Sequence, residues 1–311
     1  MFNSISGNFF VKTVLTICFV FITSLSFASN DPEETDLAVV TGENYFENTI
    51  KAVDALGGIE KIVAEGSKVG LLINSDFEHK GAYVHPDISI AVVKMSFDAG
   101  ASEVICLQHV EDEYWKRSSL YEEYKDVISN VKTVKSNKFP CEFNDNDFTK
   151  IIDENAVHLK DAEVVKALFD VDVFINIPIA KHHATTHLTG ALKNMMGVCT
   201  RKTNVGMHLN GPSRNDPDYL SQSIADIHLF RKADLVVADA VEFITTNGPN
   251  GPGEIKKLDK VLASTDVVAA DAYCAGLLGY SVDEILVVKK AYDLGLGEMD
   301  LSKINIKEIS N

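Results

Sequence analysis

Short apolar runs alternate with amphipathic stretches along most of this chain, and that alternation leaves few folds open. Residues 68–73 form a compact apolar run that ends in Asn74-Ser75-Asp76. His85-Pro86-Asp87 then opens a helical stretch to Ala99, and 103–107 is a second apolar run, ending at Gln108-His109. Two strands joined through a helix rather than a tight turn must lie parallel. The rhythm continues with strands at 172–177, 234–240 and 258–263 and a last one near 303–309. Helices are expected at 43–56, 161–169, 221–231, 265–279 and 281–294. Runs apolar on both faces predict an α/β fold: a mainly parallel sheet with helices on both faces. Residues 111–160 depart from it, being charged and rich in Tyr, with an amphipathic helix at 112–128 and polar strand-like pieces at 131–136 and 151–159. They are read as a lobe inserted into a single domain spanning 43–311.

The chain begins with an export pattern. After Lys12, residues 13–30 carry no charge, the most apolar part lies at 14–22, and Ser26-Phe27-Ala28 is a small-x-small cleavage signature. Residues 1–28 are read as a signal peptide and the acidic, unpatterned 29–42 as a linker. The apolar part is shorter than the roughly 20 residues of a membrane span, although an uncleaved anchor is the alternative. The expected location is periplasmic or secreted, with no membrane attachment after cleavage.

The 311 residues carry 29 Lys and Arg against 45 Asp and Glu, a net charge of −16, which becomes −17 when Lys12 leaves with the leader. Such a surface repels phosphate backbones and disfavours nucleic acid as a partner. Export permits disulfides among Cys106, Cys141, Cys199 and Cys274, with three pairings open. Cys106 and Cys274 sit in apolar runs as expected buried thiols. Without a Cys-x-x-Cys, no iron-sulfur cluster is expected.

The densest polar segment follows the strand at 172–177. Three of the nine histidines and two lysines fall between Lys181 and Lys193, at the carboxyl end of a strand, where the loops of a parallel sheet carry ligands. His183 and His187, four apart, would share one face if a helix begins there, and His183 with a second histidine, His182, His187 or His208, would hold a transition metal or metal-bearing cofactor through imidazole nitrogens. A helix start capped by Thr185, with the histidines bonded to backbone, accounts for the same spacing.

Lys193 is the candidate to hold an anionic substrate group, or to become a covalent attachment point if burial lowers its pKa. Lys181 is a second catalytic candidate, and His109 a candidate acid or base. Asn74 and Asp239, at other strand ends, join Thr189 and Asn194 as candidate substrate-binding residues, with Asp76 beside them. Turn chemistry explains strand-end Asn and Asp equally well. Asp266 is a candidate helix cap, and Asp271 a candidate partner for a buried Lys or His. The loop at 247–253 lacks the Lys-Ser/Thr of a phosphate loop and reads as a rigid turn against the cleft. No Gly-x-Ser-x-Gly elbow is present.

Phe174-Ile175-Asn176-Ile177-Pro178, then Lys181-His182-His183, then Thr189-Gly190-Ala191-Leu192-Lys193-Asn194-Met195-Met196-Gly197 resembles the domain-of-unknown-function family 362. The likeness extends to Val69–Asn74, Asp239-Ala240 and Ser264–Asp271, covers about 43–309, and implies a fold more than a reaction. Several members of that family carry ferredoxin-type cysteine clusters, which this chain lacks. A more distant likeness is to the lactate racemase family, whose nickel-pincer nucleotide sits on a lysine ten residues after a metal-binding histidine. His183 and Lys193 have that spacing, His109 ends an earlier strand as that family's first catalytic histidine does, and His208 stands where a second would fall. Gly190-Ala191-Leu192 replaces that family's Gly-Gly-Arg, and Met195-Met196-Gly197 its Pro-Gly.

These readings lead to an exported protein with a His/Lys-lined cleft, expected to be a metal- or cofactor-dependent enzyme acting on a small anionic substrate. The competing expectation is a non-catalytic periplasmic binding protein for a small anion or metal.

Overall fold

Strands apolar on both faces belong in the middle of a sheet, and the computed structural model of the chain places them there. It describes Met1 and residues 35–134 and 144–310. Strands β1 (Leu37–Thr41), β2 (Lys68–Ile73), β3 (Glu103–Cys106) and β4 (Lys132–Thr133) alternate with helices α1 (Tyr45–Ala55), α2 (Pro86–Asp98), α3 (Asp112–Trp115) and α4 (Tyr121–Ile128). A hairpin of β5 (Phe148–Ile152) and β6 (Asp161–Val165) comes next, then α5 (Ala167–Asp170) and β7 (Val173–Ile177). A second hairpin, β8 (Lys181–His183) and β9 (His187–Thr189), leads into α6 (Ala191–Asn194), α7 (Arg201–Leu209) and α8 (Pro217–Phe230). β10 (Leu235–Ile244), β11 (Ile255–Ser264), α9 (Val267–Leu278), α10 (Leu286–Asp293) and β12 (Ile306–Ser310) follow.

Eight strands form one sheet in the order β12-β1-β11-β10-β7-β2-β3-β4. Neighbours from β10 to β4 are parallel, as are β1 and β12, while β11 is antiparallel to both of its neighbours. Every residue of β7 is buried, so both faces of the sheet are covered. α1, α2 and α4 pack together as one group, and α6, α8, α9 and α10 as another. The fold is therefore the predicted α/β architecture with a mostly parallel sheet. Asp266 caps α9 as expected, accepting from the backbone N–H groups of Val268 and Ala269, and Gly279 in the left-handed region ends that helix.

Several local expectations are corrected. The segment read as a linker contains β1, whose Leu37–Val40 are fully buried between β11 and β12. Its four apolar residues are flanked by acids, which hid a strand whose apolar character is evident only beside its partners. Glu34–Asn311 forms one compact unit, and the expected leader lies outside the described residues.

The expected lobe is divided as well. α3 and α4 pack on α2 and β4 extends the main sheet, while among the described residues of the lobe the β5–β6 hairpin forms a separate two-stranded sheet. The helix expected at 112–128 breaks into α3 and α4. The helix expected at 161–169 is β6 followed by the single turn of α5, because Asp161–Val165 finds a cross-strand partner in β5.

Cys106, Cys199 and Cys274 are buried free thiols, pushed up by burial, with Cys106 at about 12. Among the described residues no helix is long and apolar enough to cross a membrane.

Candidate functional site

From β2 the chain moves outward through β3 to β4, then returns to lay β7 along the other side of β2. Loops leaving the carboxyl ends of β2 and β7 diverge, and such a switch point is where an open parallel sheet forms its ligand crevice. A cleft of about 540 Å³ lies here. Residues 74–79 after β2, Gln108 after β3, Thr189 through Gly197, and Asn204 and His208 of α7 line it, together with Pro249 and Asn250. The loop at 247–253 thus lies against the cleft as its composition predicts.

Beneath the cleft runs a buried ladder of amides. Lys181 Nζ donates to Asn74 Oδ1 (3.3 Å), and Asn74 Nδ2 donates to Asn194 Oδ1 (3.1 Å). Asn194 Nδ2 donates to Asn176 Oδ1 (2.8 Å) and to the Leu72 carbonyl (3.1 Å), and Asn176 Nδ2 ends the ladder on the Ala191 carbonyl (2.8 Å). The side chains tie β2, β7, β8 and α6 together with their polar groups satisfied, which fixes the loops at the switch point. Asn176 did not figure among the candidate site residues. Its signal was present: a lone amide inside the apolar run Phe174–Ile177, which a buried strand holds only where a partner waits.

The Thr189–Gly197 segment owes its shape to Asp271. Its carboxylate accepts from the backbone N–H groups of Ala191 (2.6 Å) and Leu192 (2.9 Å), the first free donors of α6. Asp271 is thus a cap for α6, rather than the expected partner of a Lys or His. Gly190 makes room for it, since a Cβ there would stand 2.1 Å from Asp271 Oδ1. Burial raises the Asp271 carboxyl to about 7, against the two donated hydrogen bonds that lower it. Asp239 also rises to about 7 through burial, but it accepts from the backbone N–H groups of His85 and Val241 and does not line the cleft.

Charge in the cleft is lopsided. Lys181 is fully buried, donating to the Ala82 carbonyl and lying 3.3 Å from the centre of the Phe77 ring; burial first, and Lys193 second, push it well below the usual lysine range. Lys193 is half-buried in the wall and lowered to about 8 by desolvation. It makes no hydrogen bond or ion pair with any described residue. His208 is lowered by burial and then by Lys193, and His183 to about 2 by burial and then by Lys193, His208, Lys181 and His182. No carboxylate appears among the causes acting on these four groups. Asp76 and Glu78, on the loop after β2, line the cleft and are exposed. Thr189 adds a buried hydroxyl with no hydrogen-bond partner.

A family model described as a domain of unknown function, DUF362, matches residues 68–276, the span that holds the switch point, the ladder and Asp271. The chain belongs to the DUF362 family. No curated protein matches the sequence. Among solved structures the DUF362 chain is similar to the lactate racemase apoprotein of Thermoanaerobacterium thermosaccharolyticum. That match has 11% identity and a TM-score of 0.43 and covers 81% of this chain and 58% of that one. It is also similar to a protein from Thermotoga maritima, with 14% identity and a TM-score of 0.37, covering 64% of this chain and 51% of that one. The chain therefore spans little more than half the length of either.

The metal-binding set expected from the sequence is not assembled in this DUF362 chain. Residues 181–189 form a hairpin, which sets His183 opposite His187 instead of stacking them along a helix. His183 Nδ1 accepts from the N–H groups of Thr185 and Thr186 (both 3.2 Å), and His182 Nδ1 accepts from Gly248 N–H (3.1 Å). An imidazole that accepts at Nδ1 carries its proton on Nε2, so neither ring offers a metal its lone pair. The alternative of backbone-bonded histidines holds, although on a hairpin.

The other two expected ligands are dispersed. His187 is exposed, tilted against Tyr280 with ring centres 5.1 Å apart, in a separate hollow of about 330 Å³. His208 lines the cleft, its Nδ1 paired with Asn215 Oδ1 (3.0 Å). Among the described residues no three His, Cys, Asp or Glu side chains gather closely enough to hold a metal. His109 pairs with Glu111 (3.4 Å) outside the cleft lining, and Gln108 takes the place expected for it. Of the residues implied by the distant likeness, Lys193 and His208 line the cleft, whereas His183 is bonded through Nδ1 to backbone donors and His109 lies outside the lining, so the set that would hold a nickel-pincer group is assembled only in part.

Proposed function

We propose that this is an exported DUF362 protein whose cleft takes up a small anionic molecule, a carboxylate or a phosphate, on Lys193. The observation that carries the reading is an ammonium with no hydrogen-bond or ion-pair partner among the described residues, facing a cleft that also holds the unpaired hydroxyl of Thr189, in a chain of net charge −16. A buried donor without a partner costs free energy, and an anion that accepts from both groups removes that cost. Gln108, also in the cleft wall, supplies an amide donor.

Thermal melting in the presence of acetate, pyruvate, lactate and inorganic phosphate tests the reading, because a ligand that binds only the folded state raises its stability. The expected result is a saturable rise for at least one of these anions, with affinity reduced about 10- to 100-fold in Lys193→Gln, as loss of a charge-assisted hydrogen bond predicts. Protonated Lys193 is the binding form, so affinity is full below its lowered pKa and falls as pH rises through about 8. Thr189→Val, nearly isosteric, weakens binding while leaving stability unchanged or raised by about 1 kcal/mol, since the hydroxyl has no partner to lose. No response to any of the four anions would sink the proposal.

A further inference from the structure

We infer that Lys193 is an amine nucleophile and that the ligands of the cleft are small oxo-acids, whose carbonyl carbon it attacks to form an imine. The inference rests on the cleft being an anion site and names the class of anion. A lysine whose only task is to hold a negative charge is commonly steadied by acceptors, and Lys181 shows what that looks like: a carbonyl, an amide oxygen and a ring face surround its Nζ. Lys193, twelve positions on, has none of these and reaches the cleft with no acceptor beside it.

Desolvation lowers Lys193, and the groups on which its own charge acts are basic. Lys181 and His183 come from β8 and His208 from α7, while the two cleft carboxylates, Asp76 and Glu78, lie on the exposed loop after β2. Desolvation, with no carboxylate paired to Lys193 among the described residues, favours the free amine over the ammonium, the arrangement that makes a lysine nucleophilic near neutral pH. With the proton gone, Lys193 no longer serves as the counter-ion. The carboxylate of an oxo-acid is then received by Thr189 Oγ1 and the Gln108 amide, neither of which has a side-chain hydrogen bond with any described residue.

The step balances without an oxidant or a reductant. The nitrogen lone pair forms the C–N bond as the carbonyl π pair moves onto oxygen, which takes a proton from nitrogen to give a carbinolamine. The C–O bond then breaks, the second nitrogen proton leaves with that oxygen as water, and the C=N bond remains. The imine withdraws electrons from the adjacent carbon, which suits proton or carboxyl loss there.

Reductive trapping tests this on the full-length mature protein. Incubation with pyruvate and borohydride at about pH 8, followed by peptide mass spectrometry, is expected to place one reduced adduct per chain on Lys193. Lactate, with the same carboxylate and no carbonyl, should slow labelling, and Lys193→Arg, which keeps the charge, should abolish it; Lys193→Gln serves where arginine overfills the cleft. Labelling should quicken as pH rises towards 8, opposite in sign to non-covalent capture of lactate.

Melting shifts with pyruvate and lactate, but no adduct on Lys193, would overturn the imine and leave the anion site standing. No shift and no adduct would overturn both readings. Labelling spread evenly over surface lysines, or placed on Lys181, would likewise overturn the assignment to Lys193.

Discussion

Asp271→Ala is expected to lower folding stability by about 4 kcal/mol, because it leaves two buried N–H groups, of Ala191 and Leu192, with nothing to donate to. Asp271 is 1% exposed and Gly190 was shaped around its carboxylate, so the space left behind is ill placed to admit well-bonded water. α6 is a single turn carrying Lys193 and Asn194, and without its cap it has little of its own to hold it. Anion binding should therefore weaken together with stability. Asp271→Asn, which keeps one acceptor oxygen, should lose about half as much.

The pH dependence has a definite sign. A carboxyl raised to about 7 binds its proton more tightly in the folded state, so its contribution is fully present below the unfolded value near 4 and is lost as pH rises through about 7. The gap between the wild type and Asp271→Asn in urea denaturation should narrow over that interval. A loss below about 1 kcal/mol for Asp271→Ala would show that the two donors find other partners.

Gly248→Ala is expected to cost about 3 kcal/mol or to displace its loop, since a Cβ there would stand 1.7 Å from the carbonyl oxygen of His182. The obstacle is backbone in β8, which rotamer changes cannot clear. The same loop is fastened by Gly248 N–H to His182 Nδ1 and by Ala184 N–H to the Gly248 carbonyl, and it brings Pro249 and Asn250 to the cleft. Loss of stability with reduced anion affinity is the expected pair of results. Gly276→Ala makes the contrast: that glycine is exposed in α9 with nothing within 4 Å, and alanine there should add about 0.5–1 kcal/mol. If Gly248→Ala melts with the wild type, the close approach to His182 does not hold the loop.

How much of this was legible in the chain differs by element. β2, α2, β3, β7 and α9 declare themselves because their signals are local: runs apolar on both faces, a Pro-led helix start, and an Asp cap. β1 does not, because four apolar residues between acids become a strand only through pairing with β11 and β12, far along the chain. At the site, the polar richness after β7 pointed to Lys181, Lys193, Asn194 and Thr189. His109 lies beyond the end of β3 and turns to Glu111, while Asp239, expected at a strand end, lies within β10 because that strand runs on to Ile244 beside β11, and neither lines the cleft.

The sequence by itself determined a mainly parallel α/β sheet, membership of a family marked by the 181–197 segment, and a cluster of lysines and histidines at one strand end. Tertiary structure decided what that cluster does. Hairpin pairing turned His182 and His183 towards backbone donors and so placed their protons on Nε2. Asp271, about eighty residues away in the chain, capped α6 and aimed Lys193 into the switch-point cleft. Spacing along a chain records which residues can be neighbours in one element. Protonation, by contrast, is set by neighbours that the folded backbone brings from other elements, and the chemistry of this cleft depends on those.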